Sequence, residues 1–251
     1  MTLRTHLGGT IFAEHLDGRQ PKVLALHGWG RTRTDLLDPL DGRDVISVDL
    51  PGFGASPPPP EPWGTAAYAD RIAELLVEQA TGPVLVVGHS FGGRVAAHLA
   101  ADHPELVSGV VFIGTPFWRS SARSKGPLRY RVVRRLRRVR LIPESTLDAA
   151  RRRYGSADYL AAEGVMRDVL VTAVNEDYRP QLARIGAPVG FCWGAEDTAA
   201  PAELATAAAQ LVDCCVVCEI VDGAGHDVHR SHPDQLRTVV DAVAAAAGVR
   251  P

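Results

Sequence analysis

Ser90 lies in Gly88-His89-Ser90-Phe91-Gly92, directly behind the apolar run Val84-Leu-Val-Val87 and directly ahead of a helix-forming stretch. A serine between two glycines at a strand-to-helix turn is held in a strained backbone conformation with its hydroxyl exposed. Side chains at the flanking positions would collide with neighbouring strands, which is why glycine is needed there. The free N–H groups of the helix start beneath the serine favour developing negative charge. This is the chemistry of nucleophilic attack by an alkoxide-like oxygen.

A serine hydroxyl is a poor nucleophile until a base takes its proton, so a histidine must converge on it. Of nine histidines, His226 is the candidate, because Gly223-Ala-Gly225 places it in a tight turn straight after the apolar run Cys215 to Val221. His229 and His232 are its neighbours, but three histidines without an acidic ligand pattern make a poor metal site. They are assigned to solvent or packing, and no metal or cofactor is expected. The base in turn needs a carboxylate to fix its tautomer. Asp197 in Gly194-Ala-Glu-Asp197, behind the run Val189 to Trp193, fits that role, with the adjacent Glu196 as the alternative. Charge on a carbonyl oxygen needs two aimed donors. One is the N–H of Phe91; the other is that of Trp29 in His27-Gly28-Trp29-Gly30, where His27 ties the loop down.

These residues must be brought to one edge by the elements between them. Short apolar runs at Lys22 to His27, Asp44 to Val48, Val84 to Val87, Gly109 to Ile113, Val189 to Trp193 and Cys215 to Val221 alternate with helical patterns. That alternation predicts an α/β fold with a mostly parallel sheet whose strands are covered on both faces. A leading strand near Thr10 to His15 is expected to pair antiparallel at the sheet edge. Helices are expected over Ala66 to Ala80, Arg94 to Asp102, and after Pro233, where Leu236, Val239, Val240 and Val243 form one stripe. Ser56-Pro-Pro-Pro-Pro-Glu-Pro62 reads as a stiff surface loop, with a recognition motif for an aromatic-groove domain as the sharper alternative.

Taken together, His27-Gly28-Trp29, Asp49-Leu-Pro-Gly-Phe-Gly-Ala-Ser56, Gly88-His-Ser-Phe-Gly-Gly93, Gly194-Ala-Glu-Asp197 and Gly225-His226 resemble the motif series of the α/β-hydrolase superfamily. The resemblance covers roughly residues 21–116 and 187–247. It implies an α/β-hydrolase fold, a triad of Ser90, Asp197 and His226, and an oxyanion pair at Trp29 and Phe91. It also implies hydrolysis of a small ester, lactone or thioester through an acyl-enzyme. Carbon–carbon hydrolysis of a vinylogous diketone uses the same residues and stays open, as does a non-catalytic ligand receptor. Epoxide hydrolases and dehalogenases of this fold carry aspartate where this chain has Ser90, and are disfavoured.

The remaining sequence bounds the partners. The chain has 251 residues, and 27 basic against 29 acidic side chains leave a formal charge of −2. That balance offers no global attraction to nucleic acid. The absence of a leader pattern or a long apolar run, with four cysteines expected to stay unpaired, leads us to expect a cytoplasmic protein. Cys215-Val-Val-Cys218 is read as a pair of buried structural thiols inside an apolar run. The division expected is a core at 1–116 and 183–251 with an inserted helical cap at 117–182. Between Arg119 and Arg153 the cap holds twelve arginines and Lys125 against Glu144 and Asp148. Val132, Val133, Leu136 and Val139 recur there at helical spacing, which predicts a basic amphipathic helix. A solvated face, an anionic substrate with an apolar portion, a membrane surface and an acidic partner all remain open. Phe117, Trp118, Tyr130, Tyr154, Tyr159 and Tyr178 are expected to line an apolar pocket beneath it. Oligomeric state is not legible.

Overall fold

The computed structural model describes residues 2–15, 22–79, 81–119, 143 and 157–248. Eight strands, β1 (Thr2–His6), β2 (Ile11–His15), β3 (Val23–Leu26), β4 (Val45–Asp49), β5 (Val84–His89), β6 (Val107–Ile113), β7 (Val189–Gly194) and β8 (Cys215–Val221), form one sheet in the order β1-β2-β4-β3-β5-β6-β7-β8. From β4 to β8 every pairing is parallel, whereas β2 runs antiparallel to both β1 and β4.

Strands β3 to β7 are buried on both faces, yet their side chains still divide by the two-residue period of a strand. Leu24, Leu26, Ile46, Val48, Val84, Val86 and Phe112 join one core layer, and Val23, Ala25, Val45, Leu85, Val87 and Val111 join the other. The first layer is closed by α1 (Thr65–Gln79) and α2 (Phe91–Asp102) through Ile72, Leu76, Val95 and Leu99. The second is closed by the C-terminal helix, Pro233–Ala246, through the expected stripe Leu236, Val239, Val240 and Val243. Proline opens that helix at its first turn, where its missing N–H costs nothing.

Three expectations are corrected. The strand near Thr10 to His15 is antiparallel but internal; Thr2–His6 folds back over it through the positive-φ glycines Gly8 and Gly9 and takes the edge. The run Cys215 to Val221 is the opposite edge strand, with Val216 43% exposed, so it is not covered on both faces. Its thiols are therefore not a buried pair: Cys218 is exposed, Cys214 and Cys215 are half-buried, and Cys192 alone of the four is fully buried. All four are free. Burial pushes the Cys192 thiol up to about 12.

Of the segment expected to form a cap, 117–182, three helices are described: α3 (Ala157–Ala161), α4 (Gly164–Ala173) and α5 (Arg179–Leu182). The basic amphipathic helix expected around Val132 to Val139 falls outside the described residues, as do Tyr130 and Tyr154. Phe117 and Tyr178 do not face an open pocket: both are fully buried, and Phe117 packs on Phe112, Phe191 and Trp193 in the first core layer. The last three helices are α6 (Glu203–Ala209), α7 (Val228–Ser231) and α8 (Pro233–Ala246). No described helix is long and apolar enough to cross a membrane.

Candidate active site

The chain leaves β3 for β4 on one side and returns to β5 on the other, so the carboxyl ends of β3 and β5 flank a point where the winding reverses. Crevices open at such points, because successive connections depart to opposite sides. Ser90 occupies the end of β5 and the 27–30 loop the end of β3.

Ser90 has φ 50° and ψ −106°, an unfavourable region for a side chain, and it is one of two described non-glycine residues with positive φ. The turn survives because its surroundings over-determine it. The Ser90 N–H donates to Ile113 O on β6 at 2.8 Å, and the Gly92 N–H donates to His27 O at 3.1 Å. A Cβ on Gly92 would run into the backbone oxygens of Leu26 and His27, as the flanking-glycine argument requires. A Cβ on Gly88 would instead meet Gly92 O and Gly93 Cα at 2.8 Å, the start of its own helix rather than a neighbouring strand.

His226 and Asp197 come to Ser90 from the ends of β8 and β7. His226 Nε2 lies 3.1 Å from Ser90 Oγ, and His226 Nδ1 lies 2.7 Å from Asp197 Oδ2. The second carboxylate oxygen, Oδ1, accepts the N–H groups of Ala199 at 2.7 Å and Ala200 at 2.8 Å. Asp197 is thus buried, anchored by two amides, and leaves one oxygen for the imidazole. A carboxylate on Nδ1 keeps the proton on that nitrogen and the lone pair on Nε2 facing the serine hydroxyl. Glu196, the alternative, is exposed, and it is Asp197 that meets the His226 ring.

The 27–30 loop is fixed as expected. Leu50 N–H donates to His27 Nε2 at 3.0 Å, so the ring proton sits on Nδ1 and meets Gly28 O at 2.7 Å. Burial lowers the proton affinity of His27, in keeping with a neutral ring. The Trp29 indole packs edge-on against Phe91 with centroids 5.3 Å apart, and Phe53 stands edge-on to Trp29 at 4.9 Å. The two residues named as backbone donors therefore meet beside Ser90. Phe91 opens α2, so intrahelical bonding leaves its N–H free.

Asp49 of the second motif is not part of this cluster. Its carboxylate accepts the Arg33 N–H and Nη1, both at 2.7 Å, and the Ala55 N–H at 2.9 Å, which closes the turn through Ser56. A groove of about 420 Å³ runs along the proline-rich loop, bordered by Pro57, Pro60, Trp63 and Arg71. None of Ser90, Asp197 or His226 borders it, so it is not the site of this chemistry.

Behind His226 lies a group that the sequence reading did not find. Asp35 is buried and its oxygens meet His89 Nδ1 at 3.3 Å, His229 Nε2 at 3.4 Å and Arg230 Nη2 at 2.9 Å. Arg31 reaches Asp227 at 2.7 Å. The available signal was Asp35 itself, an acid in a short segment directly after the oxyanion-type loop, and a histidine placed three residues beyond His226.

A serine, an imidazole and a buried carboxylate in one hydrogen-bonded line, on an α/β sheet, define the class: the chain belongs to the α/β hydrolase family, whose model matches residues 23–239. It is similar to Lipase LipV of Mycobacterium tuberculosis, 43% identical over 95 residues, which is 37% of this chain and 36% of that one. It is similar also to a pimeloyl-[acyl-carrier protein] methyl ester esterase of Chromobacterium violaceum, 39% identical over 109 residues, 42% of this chain and 41% of that one. The chain thus aligns with well under half the length of these curated relatives. Over its full extent it is similar to a thermophilic esterase of Thermogutta terrifontis, with TM-score 0.70 and 26% identity, covering 98% of this chain and 97% of the esterase.

Proposed function

We propose that this protein hydrolyses carboxylic esters through an acyl-enzyme on Ser90. His226 takes the Ser90 proton as Oγ attacks the ester carbonyl, and the charge that gathers on the carbonyl oxygen is met by the N–H groups of Trp29 and Phe91. His226 then gives the proton to the departing alkoxide. Water, activated by the same ring, attacks the acyl carbon and frees the acid and Ser90. Asp197 holds the ring and stabilises its charged form without itself taking the proton.

One observation carries this reading: the unbroken line from Ser90 Oγ to His226 at 3.1 Å and from His226 to Asp197 at 2.7 Å. The esterase names among its relatives support the same chemistry. For the substrate we propose a small ester with an apolar portion and a negative charge, attracted by the arginines between Arg119 and Arg153. The relative named for a pimeloyl-[acyl-carrier protein] methyl ester, an ester on an aliphatic chain, accords with the apolar portion.

The test is incubation of the folded protein with a fluorophosphonate, followed by peptide mapping. Modification confined to Ser90, lost in Ser90→Ala and His226→Ala, is expected. A folded wild-type chain that takes no probe refutes the reading. For the substrate, kcat/KM of a carboxylated ester should fall with rising salt while that of a neutral ester of like shape holds, since screening shortens the reach of charge. Equal salt response of the two esters refutes the anionic preference.

A further inference from the structure

The group behind His226 does not enter the mechanism above, and its members are drawn from three separate segments. Asp35 belongs to the turn Arg33–Leu36, His89 to the end of β5, and Asp227, His229 and Arg230 to the turn after β8 and the start of α7 that follows it directly. His89 stands at the centre. Its Nδ1 faces Asp35 Oδ2 at 3.3 Å, its Nε2 faces the carbonyl oxygen of His226 at 3.3 Å, and its ring lies 5.0 Å from that of His226. The ring of His229 lies 4.2 Å away on another side. A Cβ on Gly28 would come within 2.7 Å of His89 Nδ1, so the oxyanion-type loop is also shaped around this imidazole.

Three donor atoms of Asp35, His89 and His229 are close enough together to share a metal ion. Asp35 however already carries Arg230, whose Nε and Nη2 lie 3.1 and 2.9 Å from Oδ1. A guanidinium on the carboxylate supplies the positive charge that a cation would bring, and we read the group as a charge network. Burial, together with His229 and His226, pushes His89 down to about 4, against the pull of Asp35. Asp35 is held well below the usual carboxylate range by its hydrogen bonds to His229 and His89, which outweigh its burial. Near neutral pH the network therefore sets an anion, Asp35, and a cation, Arg230, beside a neutral His89 ring.

A neutral His89 matters for chemistry, because a charged ring 5.0 Å from His226 would oppose the imidazolium that His226 must become. From the layout of this network we infer that Asp35 and Arg230 are positioning residues for His226. They act through the His89 ring on the orientation of His226 and on the pH at which it takes its proton. This inference rests on the reading of His226 as the general base. The charged and titratable groups facing His226 and His89 are Asp197, Asp35, Asp227, His229 and Arg230, with Arg31 beyond Asp227.

The two charges predict shifts of opposite sign. Asp35→Asn leaves Arg230 uncompensated, which disfavours the His226 imidazolium and moves the acid limb of kcat/KM to lower pH. Arg230→Gln leaves Asp35 uncompensated and moves the limb to higher pH. Each shift should be about half a pH unit or more, the size of a unit charge a ring's width away in a semi-polar interior. With p-nitrophenyl butyrate, Asp35→Asn should also lower kcat about tenfold, with KM within about twofold, as expected where geometry rather than binding is lost. Asp35→Glu, which restores the charge, should return the limb towards its wild-type position.

The measurement is kcat/KM against pH for the full chain and these variants, with circular dichroism of each. Arg230 is 49% exposed at its side chain, so Arg230→Gln keeps the inference testable should Asp35→Asn not fold. Limbs unmoved, or moved in the same direction by both substitutions, overturn the inference while wild-type activity stands. A wild-type chain that neither hydrolyses esters nor takes a fluorophosphonate at Ser90 overturns the site reading itself, and this inference with it.

Discussion

Asp197→Asn is the substitution whose effect the geometry fixes most tightly. Asp197 Oδ1 accepts two backbone N–H groups, from Ala199 at 2.7 Å and Ala200 at 2.8 Å. An asparagine in the same rotamer must keep its carbonyl oxygen there, because its NH2 group would face two donors. Its NH2 is then directed at His226 Nδ1, 2.7 Å away in the wild type, and becomes a donor to that nitrogen. The ring proton is forced onto Nε2, which faces Ser90 Oγ at 3.1 Å and can no longer accept its hydrogen. Catalysis then requires the minor tautomer and loses the carboxylate that steadies the imidazolium. The expected loss is about 10³ to 10⁴ in kcat, or about 4–5.5 kcal/mol, the scale of wrong-tautomer substitutions in serine triads. The assay is kcat for p-nitrophenyl butyrate, with circular dichroism to confirm the fold. Glu196→Gln, at an exposed neighbour, should match the wild type. Activity of Asp197→Asn within tenfold of wild type, or a dead Glu196→Gln, refutes the tautomer argument and the assignment of the acid.

Gly92→Ala should lower stability by about 3 kcal/mol or more, the upper range for overpacking, since its Cβ meets backbone oxygens that cannot rotate away; an unshifted urea midpoint counts against it. Stability should also fall as pH drops from about 6.5 towards 4. His15 and His89, both pushed down to about 4, stay neutral in the fold while the unfolded chain protonates near 6.5. His89 contributes up to about 1.4 kcal/mol per pH unit across that window, and His15, less deeply buried, contributes less; a flat urea midpoint from pH 7 to 4.5 contradicts this. Iodoacetamide at mildly alkaline pH should modify Cys218 in the folded chain and Cys192 only on unfolding, because the first is exposed and the second is buried with its thiol pushed up to about 12. Equal rates at the two thiols in the native protein would contradict that burial.

What the sequence discloses and what it hides follow from how far each feature's cause extends along the chain. The elbow at Ser90 is local: two glycines, a strand behind and a helix ahead suffice, and the strained φ of 50° is where that pattern puts it. Asp197 and His226 were legible because each follows an apolar run by a short turn, and parallel strands deliver all such turns to one sheet edge. The position of a strand across the sheet has no such local cause. Cys215 to Val221 reads as an apolar run broken only by Glu219, yet it is last in the order, and its outward positions, Val216 among them, face solvent. Thr2–His6 was invisible for the opposite reason, since a polar strand that pairs on one side needs only a hairpin partner, which Ile11–His15 supplies.

The network behind His226 was hidden because nothing along the chain links its parts. Asp35 and Arg230 are 195 residues apart in sequence and 2.9 Å apart in the fold. They meet because the turn after β3 and the turn after β8 open at the same edge of the sheet, the edge at which Ser90 stands. A histidine just before the nucleophile cannot face the substrate when Ser90 does, since successive side chains of a strand point to opposite sides. His89 therefore points back under the loop that carries His226, where it must be buried, must stay neutral, and must find an acid. Asp35 is that acid, and Arg230 compensates the charge that His89 leaves unmatched.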